Sequence, residues 1–387
     1  MTGYTGMRFT PDHTSFRETL RRVIADCVTP HVDAWEDAGA FPAHEVFAAL
    51  GKIGAFGLEY DPAYGGEGAD HTFKVVLGEE LGRIPCGGVP MAIMVQVDMS
   101  TPSLHEFGSE PLKRRFLAPA IQGAVVSAVA VTEPDAGSDV AGLRTRAVRD
   151  ADSWVVNGSK TYITNGAQAD WICLLARTSD EGGHRGLSQI IVPTDTPGFT
   201  INRTLKKVGN RSSDTAELTF TDMRVPVEFT IGTIGRGFQQ QMRQFERERM
   251  IACYCAVGAM QHALDRTASY LKQRTAFGAP LLANQHIQYR LAELDAELET
   301  LRQLSYACAD AIVGGEDIAR MSSIAKLKAG RLQREIADTC MQYHGGIGYI
   351  EELWTARYFR DAHLLSIAGG TDEIMLRTIS RLSGYTA

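Results

Sequence analysis

Apolar residues recur at intervals of three and four along the first third of the chain. They form two series, namely Phe16, Leu20, Val23 and Ile24, then Val46, Phe47, Leu50 and Ile53. This spacing places the side chains of each series on one face of a helix. Clusters of Pro and Gly separate such series, as in the stretch from Asp61 to Gly66. Residues 1–123 are therefore predicted to form a domain of helices.

The pattern changes between residues 124 and 235. Short runs rich in β-branched and aromatic residues replace the helical spacing, and these runs are Ser127–Val131, Trp154–Val156, Trp171–Ala176, Ser188–Val192 and Ala216–Phe220. Turn residues separate them, which is typical of a small barrel or sandwich. Asn157-Gly158 predicts a hairpin turn between Trp154–Val156 and Tyr162–Thr164.

Helical spacing returns after Gly237. The segment Phe238–Gln273 contains no Pro and a single Gly, and predicts one helix of about 50 Å at 1.5 Å per residue. Two more long helices are expected near 284–313 and 318–343, and a last one over 372–382. Helices of this length favour a four-helix bundle. The expected fold is α+β and multidomain, with an N-terminal helical domain (1–123), a middle β-barrel (124–235) and a C-terminal helical bundle (236–387).

Composition excludes several classes of protein. The 387 residues carry 39 Lys and Arg against 46 Asp and Glu, a net charge of −7 without a basic tract, so nucleic acid is not an expected partner. The apolar stretch Ala124–Val131 is far shorter than the ~20 residues that span a bilayer. The first thirty residues include Asp12, Glu18 and Asp26 and lack the pattern of a signal peptide. A cytoplasmic protein without membrane association is expected.

The cysteines and glycines do not form the common metal or nucleotide motifs. Seven scattered cysteines argue against a disulfide framework and favour a reducing compartment. Cys253 and Cys255 form C-x-C without a second pair at zinc-finger spacing, so no metal site is predicted. The glycines of Gly51–Gly57 have a helical context, which disfavours a dinucleotide fingerprint, and Ser159 replaces the glycine that a phosphate loop needs before Lys160.

Five short motifs carry more information. They are Val131-Thr-Glu-Pro-Asp-Ala-Gly-Ser-Asp139, Lys160-Thr-Tyr-Ile-Thr-Asn-Gly166, Arg274-Thr-Ala-Phe-Gly278, Gln342-Tyr-His-Gly-Gly-Ile-Gly348 and Gly369-Gly-Thr-Asp-Glu373. The first joins a strand end to a Gly-Ser turn, which can bring N–H groups and hydroxyls close to an anion or a planar ring. Each motif alone is weak evidence. In this order, over nearly the whole chain, they resemble the acyl-CoA dehydrogenase family.

The resemblance implies FAD bound between the subunits of a homotetramer. The positions that match those around the flavin ring and pyrophosphate are Val131, Thr132, Gly137, Ser138, Tyr162 and Thr164, with Tyr162 where the family usually has Trp. The positions through which a neighbouring subunit holds the adenosine diphosphate are Arg274, Phe277, Gln342, Gly345 and Gly346. The planar fork of an arginine suits phosphate oxygens. Thr371, as the N-cap of the last helix, and Glu373 complete the expected cofactor site.

The implied chemistry is α,β-dehydrogenation of an acyl thioester, in which a carboxylate removes the α-proton and hydride passes to the flavin. The common form of the family carries this carboxylate where Gly369 stands here. A subset with long-chain and isovaleryl members carries it on the first long helix of the bundle, where Glu248 matches in register. Glu248 is thus the expected base, and Gly369 keeps the N–H that polarises the thioester oxygen. Glu246 lies about 200° away around the helix and cannot face the same side.

The substrate is less well defined. The resemblance assigns its binding to Val95, Met99, Ser138, Arg249, Ala368 and Gly370. Ala368 replaces a common Tyr, and Gly369 lacks the usual Glu side chain. Both changes open one wall, so we expect a branched, bulky or long acyl group on CoA or on a carrier protein, with an electron-transferring flavoprotein or a similar acceptor. Two alternatives remain open, a flavin-dependent monooxygenase or oxidase on the same fold and a non-catalytic protein that binds acyl thioesters.

Overall fold

The computed structural model describes residue 7 and residues 9–385. The chain first forms a helical region, as its spacing predicts. Its helices are α1 (Pro11–Cys27), α2 (Val32–Ala38), α3 (Ala43–Gly51), α4 (Thr72–Leu81), α5 (Gly88–Met94), α6 (Pro102–Phe107), α7 (Glu110–Leu112) and α8 (Ala118–Ile121). Between α5 and α6 the backbone continues as a π-helical turn, Val95–Ser100. Such turns are rare and are frequent at functional sites.

A β domain follows. Its strands are β1 (Ser127–Ala130), β2 (Arg146–Asp150), β3 (Ser153–Thr164), β4 (Trp171–Arg177), β5 (Leu187–Pro193), β6 (Phe199–Thr204), β7 (Thr215–Pro226) and β8 (Thr230–Ile231). They form one eight-stranded sheet in the order β6-β7-β3-β2-β4-β5-β8, with β1 parallel to β4. Each of the five predicted runs lies within or overlaps one of these strands. The buried faces of β4 and β5 supply much of the core of this domain.

The predicted hairpin turn at Asn157-Gly158 is wrong. Strand β3 continues through both residues, and its pairing with β7 only shifts register between Val156 and Gly158. Asn157 exchanges two hydrogen bonds with Asp222 of β7, Nδ2 to Oδ1 at 3.0 Å and Oδ1 from the Asp222 N–H at 2.8 Å. Gly158 has φ +148°, and a Cβ there would lie 2.7 Å from the Cα of Thr145. The glycine therefore allows a bulge and a close approach instead of a turn.

The C-terminal region is the expected helical bundle. After α9 (Gly237–Gln273) come the short strands β9 (Thr275–Ala276) and β10 (Ala279–Pro280), then α10 (Gln285–Val313), α11 (Ala319–His344), α12 (Trp354–Asp361) and α13 (Asp372–Leu382). The four predicted helices correspond to α9, α10, α11 and α13, and α13 has the predicted bounds. Helix α9 also packs against α4, where a Cβ on Gly78 would lie 2.5 Å from the Cβ of Tyr254. One apolar core consequently joins the first and last regions.

The seven cysteines form no disulfide framework, as predicted, because all are unpaired, and five of them are buried. Across residue 7 and residues 9–385, none of the helices combines the length and the apolar character that a membrane crossing requires. In the same residues, no group of three His, Cys, Asp or Glu side chains is arranged to hold a metal ion.

Candidate active site

Glu248 is a buried carboxylate on α9. The helix begins at Gly237 directly against β5, where a Cβ would lie 2.6 Å from the carbonyl carbon of Ser188. Eleven positions later, Glu248 is 5% exposed. Its Oε1 accepts hydrogen bonds from Gln244 Nε2 at 2.8 Å and Gln241 Nε2 at 3.4 Å. No lysine, arginine or histidine of the described residues lies within ion-pair distance of this carboxylate.

The environment of Glu248 favours its protonated form. Burial raises the pKa of Glu248 to about 8, although the Gln244 hydrogen bond and the positive charge of Arg249 act in the opposite direction. Desolvation disfavours the charged form because the carboxylate loses water without gaining a paired cation. A strongly perturbed pKa of this kind is typical of functional sites. The neighbouring Glu246 is only half-buried, in agreement with its predicted position on a different face.

The loop before α13 contacts α9 at Arg249, the residue that follows this carboxylate. Arg249 Nε is 3.4 Å from the carbonyl oxygen of Gly369, and Lys326 Nζ donates to the carbonyl oxygen of Gly370. Gly369 and Gly370 have φ values of +66° and +99°, which side chains rarely adopt, and no atom lies within 4 Å of a Cβ built on Gly369. Thr371 is the N-cap of α13, since its hydroxyl accepts from the Ile374 N–H at 3.3 Å. Two cations thus hold a loop that has open space in front of Gly369.

The π-helical turn Val95–Ser100 supplies the other side of the site. The carbonyl oxygen of Met99 accepts from Gln244 Nε2, which places this turn next to Glu248. Val95 is buried and Met99 half-buried. The structure therefore brings Glu248, Arg249, Met99 and the Gly369–Gly370 loop together. Ala368 precedes this loop and is half-buried.

A second group of predicted residues lies where β1 ends and β3 approaches it. The Thr161 N–H donates to the Thr132 carbonyl at 2.9 Å. Lys160 Nζ donates to the Val131 carbonyl at 2.7 Å and to Glu133 Oε1 at 2.9 Å. Glu133 also accepts from the N–H groups of Arg144 and Thr145, which hold the turn closed. A buried ion pair thus joins the first two sequence motifs.

This group fits the flavin end of FAD. Thr132, Ser138 and Thr164 present hydroxyls, and the aromatic ring of Tyr162 is 68% exposed on a residue with φ +61°. Gly137 leaves space, because a Cβ there would meet only the Thr132 methyl at 3.9 Å. Hydroxyl donors beside an exposed aromatic face suit a ring that carries both polar edges and a π surface.

A third group lies at the far end of α9. The rings of Tyr270 and His344 stack at 4.3 Å, which joins the end of α9 to the end of α11. The predicted residues of this end are all exposed, namely Arg274, Phe277, Gln342, Gly345 and Gly346. No atom lies within 4 Å of a Cβ on Gly345 or Gly346. An exposed arginine and two open glycines, carried by helix ends that meet, fit a pyrophosphate.

Three side chains at the site escaped prediction from the sequence. Gln244 and Lys326 gave no pattern, because a Gln or Lys on an amphipathic helix is ordinary. Glu133 lies inside a motif, but only the structure pairs it with Lys160.

Known proteins match this chain from end to end. Models of the N-terminal, middle and C-terminal domains of acyl-CoA dehydrogenases match residues 10–124, 128–223 and 235–383. The long-chain specific acyl-CoA dehydrogenase of Sus scrofa mitochondria is 35% identical over 375 residues, which are 96% of this chain and 86% of that protein.

Two solved structures have the same architecture. That of an acyl-CoA dehydrogenase from Geobacillus kaustophilus has a TM-score of 0.94 and 37% identity, over 98% of this chain and 100% of that one. That of butyryl-CoA dehydrogenase from Megasphaera elsdenii has a TM-score of 0.94 and 31% identity, over 97% and 99% of the two chains. The chain belongs to the acyl-CoA dehydrogenase family of flavoprotein oxidoreductases.

Proposed function

We propose that this protein dehydrogenates an acyl thioester between its α and β carbons, with Glu248 as the base and the Gly369 N–H as the donor to the thioester oxygen. The observation that carries the proposal is a buried carboxylate without a cationic partner beside a glycine loop that leaves open space. Bound FAD would supply the acceptor for the hydride that leaves the β-carbon. The chain's own residues bind the thioester, exclude water and accept the proton.

Burial gives Glu248 the basicity that the reaction needs. A free glutamate with a pKa near 4.3 is a weak base toward the α-proton of a thioester. The buried carboxylate has a pKa of about 8, so its ionised form is a stronger base at the pH where it exists. We therefore expect proton abstraction to accelerate as the pH rises toward 8. A bound acyl chain would displace further water from the site and strengthen each remaining polar contact.

The loop around Gly369 stabilises the negative charge that forms when the proton leaves. Negative charge develops on the thioester oxygen when the α-proton leaves, and fixed donors stabilise it most effectively. Gly369 offers its N–H, while Arg249 and Lys326 hold the carbonyl oxygens of Gly369 and Gly370. Two positive charges close to this loop favour an enolate-like oxygen. The loss of a Glu side chain at position 369 does not remove the donor.

The proposed cofactor site needs two chains. Glu248 lies within α9, and Arg274 is the residue directly after this helix, 26 positions further along the chain. At 1.5 Å per residue, the two are about 39 Å apart along the helix axis. A single FAD cannot contact both within one subunit. The Thr132, Ser138, Tyr162 and Thr164 group would hold the flavin end, and Arg274 of a second copy would face the pyrophosphate. A site of this kind requires at least a dimer, and the assembly proposed from the family resemblance is a homotetramer built as a dimer of dimers.

The proposed substrate is an acyl thioester with a bulky, branched or long acyl group. The support is the open space in front of Gly369 and the small side chain of Ala368. The thioester is proposed to be that of CoA or of a carrier protein. Electrons would leave to an electron-transferring flavoprotein or a similar acceptor.

Anaerobic flavin reduction by a panel of thioesters tests this function. We expect linear, branched and aromatic acyl-CoA compounds to bleach the flavin of the native protein, with the bulky ones at least as fast as butyryl-CoA. Glu248→Gln should lower the rate by about 10²–10⁴-fold, which is the usual contribution of a general base. Bleaching by a reduced nicotinamide or a reductase alone would favour the monooxygenase. Turnover of butyryl-CoA alone would contradict the substrate class.

A further inference from the structure

Gln244 links Glu248 by hydrogen bonds to the N-terminal helical region. It lies one helical turn before Glu248 on α9 and is 4% exposed. Its Nε2 donates both to Glu248 Oε1, at 2.8 Å, and to the Met99 carbonyl oxygen on the π-helical turn. Its Oε1 accepts from the hydroxyl of Ser103 at 2.6 Å. Every hydrogen-bonding atom of this amide therefore has a partner.

The orientation of the Gln244 amide follows from the chemistry of its partners. A backbone carbonyl such as that of Met99 can only accept, and an ionised carboxylate such as that of Glu248 can only accept as well. Only the NH₂ end of the amide can face both, and its two hydrogens match these two acceptors. The Ser103 hydroxyl can donate to the remaining oxygen. The flipped amide would place its oxygen against two acceptors, so this arrangement is the one that satisfies all the groups.

The bond to Gln244 makes the two oxygens of Glu248 different. Oε1 accepts from both amides, whereas Oε2 has no hydrogen bond within the part of the chain that the structure describes. We infer that Gln244 is the positioning residue of the catalytic base: it holds Oε1 and leaves Oε2 as the oxygen that accepts the α-proton. This inference rests on the proposed function of Glu248. In the step, the α C–H proton moves to Oε2 and its electron pair remains on the substrate as the enolate.

Gln244 also affects the pKa of Glu248. The charged groups around Glu248 are Asp98 from the π-helical turn, whose charge raises the pKa, and Arg249 from α9, whose charge lowers it. The Cys173 thiol of β4 faces it as well, and burial followed by the Glu248 charge raises the pKa of that thiol to about 12, so it stays neutral. The Gln244 hydrogen bond is the largest of the influences that favour the ionised carboxylate. Its removal should raise the pKa of Glu248 further.

Gln240 is a matched control for Gln244. It lies one turn earlier on the same helix and is 6% exposed. Its Nε2 donates to the Ile231 carbonyl at 3.3 Å, and it makes no hydrogen bond to Glu248. Replacing either Gln by Met removes one buried amide of equal size from α9. Only the Gln244 variant removes a donor from the carboxylate.

Hydrogen exchange at the α-carbon measures proton abstraction separately from hydride transfer. The probe is 3,3-dimethylbutyryl-CoA, whose β-carbon carries no hydrogen, so the holoenzyme can exchange its α-protons but cannot oxidise it. The rate of α-deuteration in D₂O is followed by NMR from pH 6 to 10 for the native protein, Gln244→Met, Gln240→Met and Glu248→Gln. Flavin content and thermal unfolding show whether each variant is folded. Ser103→Ala, which only weakens the hold on the amide, is the second variant if Gln244→Met does not fold.

The expected result is specific to Gln244. The midpoint of the pH profile should move upward by about one unit in Gln244→Met, with exchange about tenfold slower at pH 7. Ser103→Ala should shift it less in the same direction, and Gln240→Met should leave it unchanged. A Gln244→Met profile that coincides with that of Gln240→Met overturns the positioning role while Glu248 remains the base. Exchange at the native rate in Glu248→Gln overturns the assignment of the base, and the role of Gln244 with it.

Discussion

Glu133 and Glu248 are both buried glutamates, and their surroundings give them opposite properties. They are 6% and 5% exposed, respectively. Burial alone would raise the pKa of Glu133, but the Lys160 ammonium and hydrogen bonds from Thr145 and Arg144 outweigh it and hold that pKa below its ordinary value. Glu248 receives only neutral amide donors, and burial raises its pKa to about 8.

The difference shows that burial does not by itself create a base. A carboxylate paired with a cation is stable as an anion and has little tendency to accept a proton. A carboxylate with only amide partners keeps that tendency, and its neighbours orient it and adjust its pKa. Glu133 therefore stabilises the turn of the proposed flavin site, whereas Glu248 is available for the proposed chemistry.

The same substitution should affect the two sites differently. Glu133→Gln leaves the Lys160 ammonium buried without its carboxylate, which we expect to lower the free energy of unfolding by about 3–5 kcal/mol. Glu248→Gln replaces an unpaired buried carboxylate by a neutral amide and should not destabilise the protein. Urea unfolding at pH 8 measures both. Equal losses in the two variants would show that the carboxylates do not differ in the way proposed here.

Glu248 and Glu133 should also make stability depend on pH in opposite directions. The pKa of Glu248 rises from 4.5 to about 8 on folding, so the folded state binds the extra proton and its stability falls as the pH rises through this window. Glu248→Gln should thus gain stability relative to the native protein between about pH 4.5 and 8, by up to a few kcal/mol. Glu133 has a lowered pKa, so its stabilisation is present above pH 4.5 and is lost as the pH falls through the folded value. Unfolding series at several pH values should show these opposite slopes.

Two of the buried lysines, Lys160 and Lys326, extend the comparison with a smaller effect. Burial lowers the pKa of both Lys160 and Lys326 to about 8, but Lys160 pairs with a carboxylate whereas Lys326 donates to the Gly370 carbonyl. Lys326→Met should loosen the Gly369 loop and lower kcat/KM about tenfold, equivalent to about 1.4 kcal/mol, with flavin content unchanged. Lys326→Arg keeps a donor and should recover part of this loss. Loss of flavin in Lys326→Met would instead indicate a structural role like that of Lys160.

Local patterns predicted the helices well and one turn badly. The bounds of α13 follow from the Thr371 cap and the apolar spacing, both of which are local. Asn157-Gly158 carries an equally strong local signal for a turn, yet β3 continues through it because pairing with β2 and β7 on both sides outweighs the local preference. A strand in the middle of a sheet is determined by partners that are distant in sequence.

In the candidate site, too, local features could be predicted from the sequence and contacts between distant residues could not. Glu248 could be predicted as the base because the family resemblance and its register on the first long helix of the bundle are both visible in the sequence. Gln244 was not, because its partners Met99 and Ser103 lie 145 and 141 positions away. The loop glycines were recognised from a missing side chain, but only the structure shows the two cations that hold their carbonyls.

Gly237 gives the helix a defined starting point. Because its Cα lies against the backbone of β5, α9 cannot slide along the sheet without a collision. Eleven positions rotate a helix by about 1,100°, three turns and about 20°, so Glu248 lies on the same side of α9 as that contact. One inserted residue between them would turn the carboxylate by about 100° and away from the proposed substrate site. The interval of eleven residues between this glycine and the carboxylate therefore fixes the position of Glu248. The same interval can be used to search for the base in other chains whose loop before the last helix carries no Glu.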